Sequence, residues 1–414
     1  MMAATGSAVR ALVRREVIAI CAVVFAADIV MGTVNATFSL YASSLGASLV
    51  SIGLLSSLSG ATSLVASTPV GVISDRVGRV PVLLLGLIGF TVAMALFAAA
   101  PNPALLVPGR LLTGIAVVAT FWIAAAYLGD VVGSAERGLA FGLLTTAMGV
   151  GFTIGPLAAG EIAERSSLRV AYAAATVVAA AGVAIVLTIP RDSEATRGNR
   201  ALPRPSLGAL LGIARERPLI VAGIANILSA LTFGGAVATI FPLYGAALGL
   251  TTAAIGTMFA IRSIASTVVR LPSGAVIAAV GSGRVLAASL AVQVVAVAGL
   301  GSARDFGPML VWLMLEGIGF GAFLTSSQAY LAEHTVAATR GAAIGVFSMT
   351  GGIGYTLAPV ALGIVAARLG LSAAFFVTGG LGLLALAAMA WVWRGSPSAS
   401  PQSSMGERGR GAEP

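Results

Sequence analysis

Twelve times along this chain an apolar run of about twenty residues or more is closed by glycine, proline or arginine, and that recurrence leaves few folds open. A hydrocarbon layer about 30 Å thick is crossed by about 20 helical residues, and inside it every backbone polar group must be satisfied by the chain itself. The runs fall at 17–42, 50–73, 81–100, 104–129, 139–163, 169–189, 218–246, 252–277, 285–302, 307–331, 341–366 and 371–393. With 58% hydrophobic and 9% charged residues, most of the chain faces lipid rather than water. The expectation is an all-α integral membrane protein with twelve transmembrane helices.

Residues 191–217 interrupt the pattern with six arginines, prolines and polar side chains. The chain therefore divides into an N-terminal six-helix bundle (1–190), a cytoplasmic linker (191–217), a C-terminal six-helix bundle (218–394) and a disordered cytoplasmic tail (395–414), the last rich in Ser, Pro and Gly. Arginine supplies all the basic charge, and the loops on the N-terminal side carry most of it. The opposite loops hold only Arg165, Arg169, Arg304 and Arg368, so the positive-inside rule places both termini in the cytoplasm of a multi-pass plasma (inner) membrane protein. The net charge of +9 is scattered between apolar runs without forming a basic face, which argues against nucleic-acid binding. Arg10, Arg14 and Arg15 before an apolar stretch look superficially like a secretory signal, but the stretch continues to about Ala42 and reads as an uncleaved first span. The single cysteine, Cys21, lies in that span and excludes intramolecular disulfides.

The halves repeat each other. Pro69 pairs with Pro272, an offset of 272 − 69 = 203, and the same offset carries Tyr41 to Tyr244, Tyr127 to Tyr330, Arg137 to Arg340 and Pro156 to Pro359 without a gap. Two six-helix halves in parallel repeat are a transporter architecture.

Chemistry concentrates in a few places. Gly71-Val-Ile-Ser-Asp75-Arg76-Val-Gly78-Arg79 is a sharp turn whose carboxylate is flanked by guanidinium groups. It resembles the signature loop of the major facilitator superfamily, and with the span count and the duplication the resemblance covers residues 17–393. That resemblance implies that Asp75 latches one conformer by facing the N-terminus of a helix in the other half, here the one beginning near Gly341. Such a contact is worth about 0.3–1 kcal/mol; the plainer reading is a solvated turn. The second copy departs from the motif, with Ala278 and Ser282 in place of Asp75 and Arg79, so any latch is one-sided. Gly151, Gly155, Pro156 and Gly160 resemble the antiporter motif of the family's proton-coupled drug exporters, with Ala159 where glycine is frequent. Ordinary small-residue helix packing is the alternative. Arg110 opens Arg-Leu-Leu-Thr-Gly114, similar to the family's fourth-helix motif, whose arginine is implicated in proton transfer.

Asp28, Arg110, Arg262 and Glu316 sit well inside spans, where a central charge costs about 2.5–3.5 kcal/mol, so each needs a cavity or a partner. Burial disfavours the charged form of a carboxylate, which lets such a group be neutral in one conformer and ionised in another. Asp28 is the first expected coupling residue and Glu316 the second, with Arg110 tuning Asp28. The competing reading is a static Asp28–Arg110 or Glu316–Arg262 ion pair. Asn35, Trp122, Tyr127, Asn226, Arg262, Gln328 and Tyr330 are candidate cavity groups; Glu161 and Glu164 are expected merely to meet water. His334 is expected at a helix end.

No phosphate-binding Gly-Lys-Ser/Thr loop is present, and neither a catalytic constellation nor a metal-ligand set appears, so an enzyme is disfavoured. The reading is a monomeric secondary transporter that needs no cofactor beyond a proton gradient and exports a small organic solute, drug-like or metabolic, by alternating access. Uptake by proton symport, sugar efflux and a non-transporting membrane sensor or scaffold are the alternatives.

Overall fold

The structure, a computed structural model, describes residues 14–133, 136–190, 207–336 and 339–394. The larger part of the expected linker, 191–206, and the expected tail, 395–414, lie outside the described residues. Among the described residues twelve helices are long and apolar enough to cross a bilayer: α1 (Arg15–Ser44), α2 (Leu49–Val77), α3 (Arg79–Ala99), α4 (Pro103–Val131), α5 (Arg137–Arg165), α6 (Leu168–Val186), α7 (Arg217–Ala247), α8 (Thr252–Val280), α9 (Ser282–Ser302), α10 (Phe306–His334), α11 (Arg340–Leu369) and α12 (Leu371–Trp393). A short helix, Leu207–Ala214, precedes α7 and packs on α11. An even number of crossings starts α1 and ends α12 on the same face, the terminal face.

The turns explain where the helices stop. Gly46, Gly78, Gly249 and Gly281 have φ of 91°, 100°, 86° and 91°, a region that costs side-chain-bearing residues energy, and each ends a span. Ser48 and Thr251 then cap α2 and α8, accepting from the Ser51 and Ala254 amides at 3.2 Å. These pairs stand 203 apart, and so do whole helices. Adding 203 to the ends of α2, α3 and α4 gives the ends of α8, α9 and α10 residue for residue. Long-range hydrogen bonds repeat too: Tyr41 Oη donates to the Phe97 carbonyl at 2.7 Å, and Tyr244 Oη to the Ala303 carbonyl at 2.8 Å.

The two repeats place α1 and α7 innermost. Of the apolar stretch of each, 72% is buried, against 17% for α8, because α1 is wrapped by α5 and α6 and α7 by α11 and α12. Leu85, Val177, Leu271 and Leu384 lie exposed, as an outer surface in contact with lipid acyl chains requires. Two wide π turns break the α-helical register, at Val118–Trp122 of α4 and Leu231–Ile240 of α7. In α7 a cause is visible. Pro242 offers no N–H to the carbonyl four residues earlier, and Thr239 Oγ1 donates to the Gly234 carbonyl at 2.8 Å.

Candidate functional site

Asp28, Met31, Asn35 and Phe38 recur at helical spacing on one face of α1, and that face lines a cavity of about 750 Å³ between the halves. From α2 the stripe Ser56, Ser59, Ser63 and Ser67 joins it; α4 contributes Arg110, Phe121 and Trp122, α5 Phe152, α7 Asn226 and Phe233, and α11 Phe347 and Tyr355. The serine protons are turned back to backbone: Ser63 Oγ donates to the Gly114 carbonyl at 2.8 Å and Ser67 Oγ to the Leu64 carbonyl at 2.8 Å. Their lone pairs remain as acceptors among aromatic rings. Such a space suits an organic molecule with apolar bulk and a few donors.

The cavity is closed away from the terminal face by two seams. At the α5–α8 seam a Cβ on Gly160 would lie 2.6 Å from the Thr252 carbonyl oxygen, and at the α2–α11 seam a Cβ on Gly363 would lie 2.7 Å from that of Leu49. Backbone meets backbone there, which only glycine permits. Toward the terminal face the same helices part: Cβ atoms on Gly71, Gly142, Gly274 and Gly345 would meet nothing within 4 Å. The lining reaches Thr68, Gly341 and Gly345 at that end. The halves therefore touch at one face and open at the other.

Asp28 lies 7% exposed with Oδ2 buried and without a partner. The expected tuning by Arg110 is not what the geometry shows. Arg110 Nε and Nη2 donate to the carbonyls of Leu55 and Ser56 at 3.0 and 2.9 Å, and its guanidinium stacks 4.2 Å from the Phe38 ring centre. It braces α4 to α2, since the carbonyls of the serine-rich turn lie closer than the carboxylate of α1. Arg270 of α8, a cation inside a span that the sequence reading passed over, likewise has a buried Nε without a hydrogen-bond partner. Glu316 is paired in this conformation with Arg262, whose Nε donates to it with both side chains buried. It is not among the cavity-lining residues. Arg262 also lies over the rings of Phe233 and Phe320, at 4.2 and 5.0 Å.

Of the other candidate cavity groups, Asn35, Trp122 and Asn226 line the space. Tyr127, Arg262, Gln328 and Tyr330 do not. Tyr127 is buried within the N-terminal half, Gln328 is exposed on α10, and Tyr330 stacks on His334 and accepts from Trp393 Nε1 at 3.3 Å. The antiporter-like motif serves two neighbours. A Cβ on Gly151 would lie 3.0 Å from Asp28 Cβ, one on Gly155 3.0 Å from Ile29 Cα, and Pro156 fills the notch at Gly32, all on α1, while Gly160 meets α8.

At the terminal face Asp75 pairs with Arg79 at 2.9 Å, and Arg79 also reaches Ser74 at 2.6 Å and Asp130 at 3.3 Å. The expected contact of Asp75 with the start of α11 is not made in this conformation; the cavity mouth separates α2 from α11 there. Arg76 is exposed. In the second repeat Ser282 donates to Glu333 of α10, the residue 203 beyond Asp130, so the tie from the loop to an acidic side chain is kept although its arginine is not. Glu164, expected to meet water, accepts from Thr252 Oγ1 at 3.0 Å and the Ala253 amide at 3.4 Å, clamping the N-terminus of α8 across the halves. Among the described residues no group of three or more His, Cys, Asp or Glu could hold a metal ion.

Comparison with known proteins follows the same lines. The chain is 34% identical over 148 residues to the class C tetracycline resistance protein of Escherichia coli, covering 36% of each chain. It is 28% identical over 157 residues to multidrug resistance protein 1 of Bacillus subtilis (strain 168), covering 38% of this chain and 40% of that one. These matches span little more than a third of those relatives' lengths. The fold matches a mutant of the nucleoside transporter NupG with a TM-score of 0.79 at 16% identity, over 91% of this chain and all of that one. It matches a POT family transporter in complex with 5-aminolevulinic acid with a TM-score of 0.75 at 13% identity, over 91% and 96%. The Major Facilitator Superfamily model matches residues 20–252 and again 222–414, and the chain belongs to that superfamily.

Proposed function

We propose that the protein is a proton-coupled exporter of amphipathic organic solutes, with a cavity that opens alternately to the two sides of a plasma membrane. The observation that carries the reading is Asp28. Among the described residues it is the one carboxylate lining the cavity, and its buried oxygen has no partner, so nothing holds it permanently ionised. The arginine bias of the loops makes the terminal face cytoplasmic, and the conformation is then the inward-open one that loads solute from the cell. Glycine-bearing helices on both sides of α5 give the halves surfaces that re-pack as they rock. The names of the resistance-protein relatives support export of drug-like compounds, and the protein acts as a monomer without a cofactor.

The test is flux in proteoliposomes under an imposed pH gradient, using compounds picked by a growth-inhibition panel in an efflux-deficient host. The wild-type protein should drive solute against its gradient in exchange for protons. Asp28→Asn should retain downhill exchange and lose the response to the pH gradient. Unaltered gradient-driven flux in Asp28→Asn overturns the assignment, and flux with the proton rather than against it makes the protein a symporter.

A further inference from the structure

Ser59, Ser63 and Ser67 stand four residues apart on α2, one above another on a face that lines the cavity, and together they span about 12 Å of helix. The proton of each is spent on backbone. Ser59 Oγ donates to the Ser56 carbonyl at 3.3 Å, Ser63 Oγ to the Gly114 carbonyl at 2.8 Å and Ser67 Oγ to the Leu64 carbonyl at 2.8 Å. What the stripe offers a solute is a ladder of lone pairs. Further acceptors stand in the same cavity: the buried Asp28 Oδ2 has no partner, and Asn226, whose Nδ2 donates to the Phe347 carbonyl at 2.7 Å, keeps its Oδ1 for accepting. The stripe belongs to one half only. At the offset of 203 it becomes Arg262, Ser266 and Arg270 of α8, and none of these lines the cavity.

The other half supplies rings to the same space, Phe233, Phe347 and Tyr355. Two of the lining rings already carry a cation, since the Arg262 guanidinium lies 4.2 Å from the centre of Phe233 and that of Arg110 4.2 Å from the centre of Phe38. A ring whose electrons are drawn to one guanidinium attracts a second cation poorly and stacks better on an electron-rich ring. A row of lone pairs repels an anion, and the occupied rings disfavour a cation.

We propose that Ser59, Ser63 and Ser67 determine specificity, selecting a flat, neutral aromatic solute with several O–H or N–H donors along one edge. The donor edge lies on α2 and the ring face against α7 and α11, so that both halves hold the solute at once. This rests on the reading of the cavity as the solute site of an exporter.

The test is equilibrium dialysis of the full chain in nanodiscs, against empty nanodiscs, with a trihydroxystilbene and its trimethyl ether, which share a shape and differ in donors. The wild-type protein should prefer the trihydroxystilbene. Ser59→Ala, Ser63→Ala and Ser67→Ala should each weaken its binding by about threefold to tenfold and leave the ether within about twofold. Ser67→Thr, which keeps the hydroxyl, should bind as the wild type does. Ser63 also ties α2 to α4, so if Ser63→Ala fails to fold, Ser59→Ala and Ser67→Ala, whose lost bonds lie within α2, carry the test. Tetraphenylphosphonium, an aromatic cation without donors, should bind more weakly than the trihydroxystilbene. Equal losses for both stilbenes, no loss for either, no binding of either, or tighter binding of the cation each overturn the proposal. Export is read separately, as flux of the compounds picked by growth inhibition, and survives those results. Serine-dependent binding of the trihydroxystilbene in a protein that moves no solute upholds the selectivity assignment and removes the exporter.

Discussion

The α5–α8 seam and the α2–α11 seam are the same object built twice, and they differ in almost every polar atom. Gly160 against Gly256 corresponds to Gly363 against Gly53 at the offset of 203, and both are backbone contacts. Elsewhere chemistry diverges. Gly149 meets Thr267 in the first seam, whereas Gly352 meets Leu64 in the second. Thr153 bonds Ser263 at 3.1 Å where the second seam has Thr356 and Gly60, and Glu164 clamps α8 where the second has Ala367. The second seam keeps one cross-half hydrogen bond of its own, from the Val360 amide to Ser57 Oγ at 3.1 Å. Duplication supplied the shape of a closing contact; divergence put the groups that respond to charge on one side of the molecule. The interiors of the halves differ likewise, with Arg110 bound to carbonyls in one and Arg262 to a carboxylate in the other.

The largest effect should come from that last difference. Arg262→Met strands Glu316 in a dry interior and should cost about 3–5 kcal/mol in detergent melting, while Arg262→Met with Glu316→Leu should recover most of it. Equal melting of single and double variants would remove the distinction between the halves. Next come the seams. Gly256→Leu and Gly53→Leu each force a side chain between two backbones, and should each disfavour the form open at the terminal face by about 1–3 kcal/mol, read as increased labelling from the face opposite the termini. A large effect at one site alone would show that a single seam carries the closure. Smaller still is the hydroxyl pair: a Thr153→Val, Ser263→Ala double-mutant cycle should give a coupling of about 1 kcal/mol, and Ser57→Ala a comparable loss in the other seam. The smallest shift belongs to the exposed clamp. Glu164→Gln should loosen only the α5–α8 seam, less so as salt rises, and Ala367→Glu should tighten the α2–α11 seam in the opposite sense.

The architecture was legible in the sequence because lipid imposes it. Apolar runs at 50–73 and 252–277 became Leu49–Val77 and Thr252–Val280, longer because the ends obey glycine turns and caps rather than hydropathy. The offset of 203 was legible for the same reason, since Tyr, Pro and Arg at fixed positions make the repeated long-range bonds. The site was only half legible. Asp28 was found by its cost, but Arg110 was expected beside it, because spacing along the chain does not say which way α4 turns its arginine. Arg270 was missed inside an apolar run that already held Arg262. Glu164 gave no signal at all, since its acceptor role depends on α8 of the other half arriving beside it.

The residue-for-residue match of helix lengths has a mechanical corollary. Spans of 29, 21 and 29 residues in the first half correspond to spans of 29, 21 and 29 in the second, so along these three helices the two bodies present the same length to the acyl chains, whereas α6, with 19 residues, is shorter than α12, with 23. A thinner or thicker bilayer then strains the two bodies alike along these helices, and neither half is singled out as the one that moves.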